Sequence, residues 1–362
     1  MKKRIFFLLS LLFCLNIIGL LSLYSSLHQD GVLINQSLFI KQVIWDIIGW
    51  ILILVISFMN YRVFYDLSWW VYAAAALFLT AVIISGKMHM GAQRWIQILG
   101  ITFQPSEFAK LAVLLILSRK LSQQKYLPGN SQGSFRREII APFIPVSVIA
   151  LLIFIQPDLG TALVTIFVYF LMLIGKGVRK RNLIFFIMII CLTIPAGWFL
   201  LKDYQKARLL VFLNPNSDPL GTGYTIIQSK IAIGSGEIFG RGFLSGTQNQ
   251  LNFLPARHTD FIFTVFAEEW GFLGCLILLS IYYFLLRIIL RTAESSKDSY
   301  SYTLSLGIFS LLFTHVIINT AMVMGMIPVV GLPLPFLSYG GSFTLIGFML
   351  IGIIVNILKH QE

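Results

Sequence analysis

Apolar and polar positions along this chain do not alternate finely; they separate into long apolar runs joined by short polar links. A membrane-crossing helix needs roughly 20 mostly apolar residues. Runs approaching that length fall at about 5–27, 39–59, 69–86, 105–119, 141–156, 159–175, 183–201, 261–286, 303–326 and 339–358. The fifth and sixth are nearly continuous across Gln156-Pro157-Asp158-Leu159-Gly160. The pattern predicts an all-α polytopic membrane protein of about ten transmembrane helices, forming one integral-membrane domain over residues 1–362. A single long link, about 202–260, separates the seventh and eighth helices. It opens on a turn-rich stretch, Asn214 to Gly221, followed by Tyr224 to Ile233, which reads as a short amphipathic helix lying on the surface. Glycines 234, 236, 240, 242 and 246 come next. Their spacing is not that of a nucleotide-binding loop and no strand precedes them, so flexible close packing at headgroup level is expected instead.

Composition sharpens this picture. The chain is 57% hydrophobic and 12% charged, with a mean hydropathy of +0.84, whereas soluble domains average about 25% charged residues. A formal charge of +12 could suggest nucleic acid. However, the basic residues cluster in the links between apolar runs, which is the pattern of membrane topology. Cys14, Cys191 and Cys275 lie far apart within apolar runs and are expected to pack, with no disulfide or metal site. The first run is longer than a secretory signal core, and no small-x-small cleavage site follows it directly, so it reads as a retained first helix.

With the N-terminus inside, 17 of the 27 Lys and Arg residues fall in inner segments, and only Lys41, Lys87 and Arg94 fall in the short outer links. Both termini are therefore expected to be cytoplasmic, with 202–260 facing outward.

An ionisable group inside a bilayer costs roughly 2.5 kcal/mol or more, so each needs a partner or a task. Glu107 and Lys110 lie three residues apart on one helix face, either as a self-neutralising pair or lining a polar cavity open to the outside. Glu268 lies about 80° around the eighth helix from Asp260 and Glu269 about 180°. Glu268 is thus expected to face the same cavity as Asp260, and Glu269 another helix. His315 and Asn319 read as an interhelical hydrogen-bonding pair. Asp260 stands where the long polar link enters the eighth helix, and an N-cap would suit it. Thr259 could cap equally well, so the residues alone leave Asp260 open between structure and chemistry.

Three stretches together resemble one family. They are Gly91-Ala92-Gln93-Arg94-Trp95-Ile96 with Phe103-Gln104-Pro105-Ser106-Glu107; Phe253 to Gly271, FLPARHTDFIFTVFAEEWG; and Asn319 onward through Gly331-Leu332-Pro333-Leu334-Pro335-Phe336-Leu337-Ser338-Tyr339-Gly340-Gly341-Ser342. These are similar to the signatures of the SEDS proteins (shape, elongation, division and sporulation) of the bacterial cell wall. Gln156 to Thr161 and Gly246-Thr247-Gln248 are closest to the elongation branch. Ala256 departs from the pattern, since many members carry an acid there.

The resemblance implies a glycosyltransferase of the cytoplasmic membrane that polymerises lipid II into peptidoglycan strands on the outer face. It also implies a class B penicillin-binding protein as transpeptidase partner, alongside other elongation-complex proteins. Asp260 falls on the family's essential outer-loop acid, Trp95 on its functionally important tryptophan, and Glu107 and Lys110 on positions lining its central cavity. The chemistry such a reaction needs is a base at the acceptor 4-hydroxyl and positive charge at the departing diphosphate, in one inverting displacement. Asp260 suits the base. Arg94, Lys110, Arg208, Lys230, Arg241 and Arg257 are the candidate cations, Lys110 and Arg208 foremost, while Arg257 and His258 could instead sit among headgroups. A divalent cation, Mg2+ or Mn2+, could take Asp260 as an oxygen ligand, though no ligand cluster in the sequence demands one. A lipid II flippase and a non-catalytic scaffold are the rival readings; ten spans broken by Pro328, Pro333 and Pro335 would equally suit a transporter.

Overall fold

The computed structural model describes residues 2–29, 32–33, 35–85, 87–89, 92–98, 101–124, 135–214, 218, 223–251 and 253–361. Lys125, Gly91 and most of the turn-rich stretch 214–221 lie outside them. Each apolar run forms a helix: α1 Lys2–Ser26, α2 Gln36–Phe58, α3 Arg62–Ser85, α4 Pro105–Ser122, α5 Ala141–Ile155, α6 Leu159–Lys176, α7 Lys180–Leu200, α11 Ile262–Glu294, α12 Ser299–Val323 and α13 Gly341–His360. Among the described residues eight helices are long and apolar enough to cross a membrane by length and composition. The helix α4 is not among these eight, because Glu107, Lys110, Arg119 and Lys120 interrupt its apolar run. A π-helical turn, Arg136–Ile140, leads into α5.

The long link is itself helical in part, with α8 Asp203–Leu213, α9 Tyr224–Ser235 and the single turn α10 Thr247–Gln250. Between α3 and α4 lies a small antiparallel sheet of β3 Lys87–His89, β4 Ala92–Ile98 and β5 Ile101–Phe103, in the order β3-β4-β5. A two-residue pairing, β1 His28–Gln29 with β2 Val32–Leu33, follows α1.

The chain divides into two compact units. The first comprises Met1–Ile56, Tyr204–Ile288 and His315–Gly352, and the second Ser57–Asp203, Ile289–Thr314 and Ile353–Glu362. In the second unit, Gly175 of α6 and Gly307 of α12 mark close approach. A Cβ on Gly175 would meet Leu306 at 2.6 Å, and one on Gly307 would meet Met172 at 3.0 Å.

The first unit holds the feature that positions the long link. The helix α11 breaks at Gly271, whose φ of 63° and ψ of −163° only glycine adopts without strain. A regular helix would bond Phe272 N–H to Glu268 C=O and Leu273 N–H to Glu269 C=O. Instead, Phe272 and Leu273 donate to the carbonyls of Glu237 and Ile238, at 2.9 and 3.1 Å. The carbonyls of Glu268 and Glu269 accept from Arg241 and Gly242, both at 3.0 Å. The glycine-rich stretch after α9 thus captures the four backbone groups that the break releases, as a break in an apolar span requires. It does so at contact distance: a Cβ on Gly236 would lie 2.2 Å from Ala267 O, and one on Gly240 2.1 Å from Glu269 O. Gly236 and Gly240 are therefore tightly packed against α11, in keeping with the close packing expected of this stretch.

Candidate active site

Asp260 lies in a turn, Pro255 to Phe261, just before α11. The turn is closed by Thr259 N–H and Phe261 N–H, both donating to Ala256 C=O, with Ala256 in the left-handed region at φ 51°. The first carbonyl of α11 to accept helical hydrogen bonds is that of Phe261, from Thr264 and Val265. Asp260 therefore stands one residue before the cap position considered for it.

The backbone of this turn is clamped residue by residue. Tyr339 N–H donates to His258 C=O at 2.9 Å. Ser338 Oγ donates to Thr259 C=O at 2.6 Å, and Asn319 Nδ2 donates to Asp260 C=O at 2.8 Å. The same Nδ2 donates to Leu332 C=O at 2.7 Å. His315, one turn earlier on α12, engages Pro333 C=O at 3.1 Å. Both residues thus bond backbone carbonyls of the loop 328–340. Gln42 of α2 holds the end of that loop, accepting from Gly340 N–H at 3.2 Å while donating to Thr344.

The backbone that carries the half-buried Asp260 carboxylate is thereby held from α12 and the loop 328–340. The carboxylate Oδ2 points at Gly331, where a Cβ would come within 3.3 Å. Gly331 has φ +71°, so glycine is required there both for its conformation and for the approach of the acid.

The other candidate residues take distinct places. Arg208 is exposed on α8 and donates to Val329 C=O at 3.3 Å, two residues from the glycine that Asp260 contacts. Arg257 is half-buried and donates to Asn249 C=O at 2.6 Å; burial lowers its pKa from the ordinary arginine value. The His258 ring lies edge-on to Tyr339, 6.0 Å between centroids. Burial, and then the charge of Arg257, lower its pKa below 6.5, so this imidazole is neutral at pH 7. Lys230 and Arg241 are exposed.

Glu268 does not open onto a cavity with Asp260, contrary to the sequence expectation. It is wholly buried, and its Oε1 accepts from Thr247 Oγ1 at 3.0 Å and Gln248 N–H at 3.1 Å. The 80° offset assumed a straight helix meeting solvent, whereas the captured loop covers that face. Glu269 turns to α1 and accepts from Ser25 Oγ.

Arg94, Trp95, Glu107 and Lys110 belong to the second unit. Lys110 Nζ and Glu107 Oε1 are 2.9 Å apart, and both residues are buried, so the self-neutralising pair is what forms. Arg94 reaches the α5–α6 turn, donating to Gln156 and Pro157 carbonyls with Asp158 at 3.8 Å. Asp158 caps α6 through Thr161 N–H. Trp95 is half-exposed on β4, opposite Lys87. Among the described residues no three His, Cys, Asp or Glu side chains gather as a metal site.

A polytopic membrane protein, with an acid clamped where its long interhelical link enters a broken helix, is the class that fold and site define. The FTSW_RODA_SPOVE family model, described as cell cycle protein, matches residues 4–362, and the chain belongs to that family. It is 40% identical over 315 residues to the peptidoglycan glycosyltransferase MrdB of Escherichia coli (strain K12), across 87% of this chain and 84% of that protein. Identity to the peptidoglycan glycosyltransferase RodA of Treponema pallidum is 30% over 429 residues, covering 98% of each. Among solved structures, a chain of a peptidoglycan synthase complex that coordinates polymerization and crosslinking superposes with a TM-score of 0.79. It is 28% identical, over 98% of this chain and 97% of that one. The rod shape determining protein RodA of Thermus thermophilus superposes with a TM-score of 0.71 at 25% identity, over 98% of this chain and 96% of that one.

Proposed function

We infer that this chain is a bacterial peptidoglycan glycosyltransferase, polymerising lipid II into β-1,4 glycan strands at the outer face of the cytoplasmic membrane during elongation. Two relatives carrying that activity in their names, at 40% and 30% identity, support it. The observation that carries the mechanism is the clamping of the 258–260 backbone, at His258 by Tyr339, at Thr259 by Ser338 and at Asp260 by Asn319. Asp260 acts as general base toward the acceptor 4-hydroxyl in a single inverting displacement. A base held by three backbone hydrogen bonds on neighbouring residues keeps its geometry without cost at the moment of reaction.

Arg208, exposed and anchored to the loop that Asp260 touches, stabilises the departing diphosphate. Arg257 shapes the turn from below, and neutral His258 adds no competing charge. Trp95, Arg94, Glu107 and Lys110 are the second unit's candidate substrate-binding residues, Arg94 and Lys110 through the internal contacts described. Both termini are cytoplasmic, as the distribution of basic residues favours. The partner is a class B penicillin-binding protein, supported by the likeness to a synthase complex.

The test uses the purified chain with its partner, reconstituted with lipid II supplied only from the outer leaflet. Polymer forms with the native chain and not with Asp260→Asn, while partner binding is retained. A flippase would make no polymer under these conditions, and a scaffold would be indifferent to Asp260.

A further inference from the structure

Beside the break in α11 lie two acids that the proposed reaction does not use. Glu268 and Glu269 are 0% and 2% exposed. Glu268 Oε1 is engaged by the α10 turn, and the Glu269 carboxylate by Ser25 and the backbone N–H of Leu244. The second oxygen of each, Oε2, is buried without a hydrogen-bond partner. No Lys or Arg pairs with either acid among the described residues. Both side chains border Gly246. A Cβ built on Gly246 would lie 2.9 Å from Glu268 Oε2 and 3.6 Å from Glu269 Cγ. Two further buried acceptors without partners lie on the same turn, Gln248 Oε1 and Asn249 Oδ1. Asn249 is fixed there by donating to Ser25 C=O at 2.7 Å, on the residue whose hydroxyl serves Glu269.

Orphaned buried acceptors are rare, and buried carboxylates without a counter-charge are costly. Here the orphans are all oxygens, carboxylate or amide, and none is a donor. That donor set is the one hard divalent cations take, using one or two carboxylates plus neutral oxygens. We propose that Glu268 and Glu269 bind a divalent cation at Gly246, with the amide oxygens of Gln248 and Asn249 completing its protein ligands. Gly246 is glycine because a side chain would fill the ion's place. The bound ion ties α1, the α10 turn and the broken α11 together. Its influence reaches the active-site turn through Asn249, whose carbonyl accepts from Arg257. The site is separate from Asp260 and needs no polymerase chemistry.

The test is direct binding of Mn2+ to the purified full-length chain, read by electron paramagnetic resonance, with Mg2+ and Ca2+ as competitors. Working in Asp260→Asn removes any ion held at that acid. One Mn2+ per chain is expected, displaced by Mg2+ or Ca2+ and not by equal Na+. In Glu268→Gln, and in Gly246→Ala, which keeps both carboxylates, affinity should fall at least tenfold. Thermal unfolding of the native chain should rise with Mg2+, and that rise should vanish in both variants. Absence of a bound ion in Asp260→Asn overturns the proposal, as does unaltered affinity in both variants. A chain stabilised by acidification and indifferent to divalent ions would show protonated carboxyls instead, and would equally overturn it.

Discussion

Asn319→Ala is the perturbation that isolates how the catalytic turn is held. Asn319 is 0% exposed, and its amide nitrogen gives one hydrogen bond to Asp260 C=O and another to Leu332 C=O. Truncation removes the Asn319 donor from both carbonyls. Each loss costs about 1–3 kcal/mol when the carbonyl remains buried. The Leu332 bond is buried and the Asp260 bond only partly so, and water can recover part of the latter. The folded state should therefore lose about 2–4 kcal/mol. The share falling on Asp260 is about 1–2 kcal/mol, or roughly a fivefold to thirtyfold loss in turnover. With Asp260 as the proposed base, held through its backbone by Asn319, kcat should fall while KM for lipid II stays near its native value. Asn319→Asp keeps the size but, ionised, cannot donate, so it should fall at least as far. The assay is polymerisation by the purified chain with its partner, alongside thermal unfolding. In an Asp260→Asn background, Asn319→Ala should lower the unfolding temperature and leave the residual rate unmoved. Native kcat together with a native unfolding temperature would refute the reasoning.

Other substitutions test neighbouring parts of the account. Gly271→Ala would set a Cβ 2.3 Å from Gly240 N and 2.7 Å from the carbonyl oxygens of Gly236 and Ile238. It should be among the most destabilising single changes, read as loss of folded protein in detergent. His258 is held neutral by burial and by Arg257, its pKa lying below 6.5. The folded state therefore binds fewer protons than the unfolded chain, and this contribution, complete above pH 6.5, is lost as pH falls through the folded pKa. Unfolding temperature should drop between pH 7 and pH 5, and drop less in His258→Gln. Arg94→Gln removes the tie to the Gln156–Asp158 turn; it should lower the unfolding temperature.

The helices were legible because an apolar run of membrane length has few other structures open to it. All ten expected runs are helices, including α4, whose Glu107–Lys110 pair was visible at its i, i+3 spacing. The break in α11 was not. A lone Gly271 inside an apolar run looks like any tolerated helix glycine, and what makes it a break is a loop some 30 residues earlier. The sequence did show the residues of that loop, Gly236, Gly240 and Gly242, but not their partner. The small sheet at 87–103 was hidden by its shortness and by reading the segment only for charge. Asp260 was singled out as a candidate by the surrounding motif, whereas the side chains that hold its turn were not. Asn319 and Ser338 bond backbone carbonyls, and a carbonyl leaves no mark in a sequence. The cavity-facing assignment of Glu268 failed for a related reason: helical angle gives the direction of a side chain, not what covers it.

The central claim is that the Asp260 carboxylate performs the proton transfer of glycan polymerisation. It is tested most directly by measuring polymer formed from lipid II by the purified chain and its partner, native against Asp260→Asn. The account expects the variant to fold, bind its partner and form no polymer; polymer at the native rate from the folded variant would contradict it.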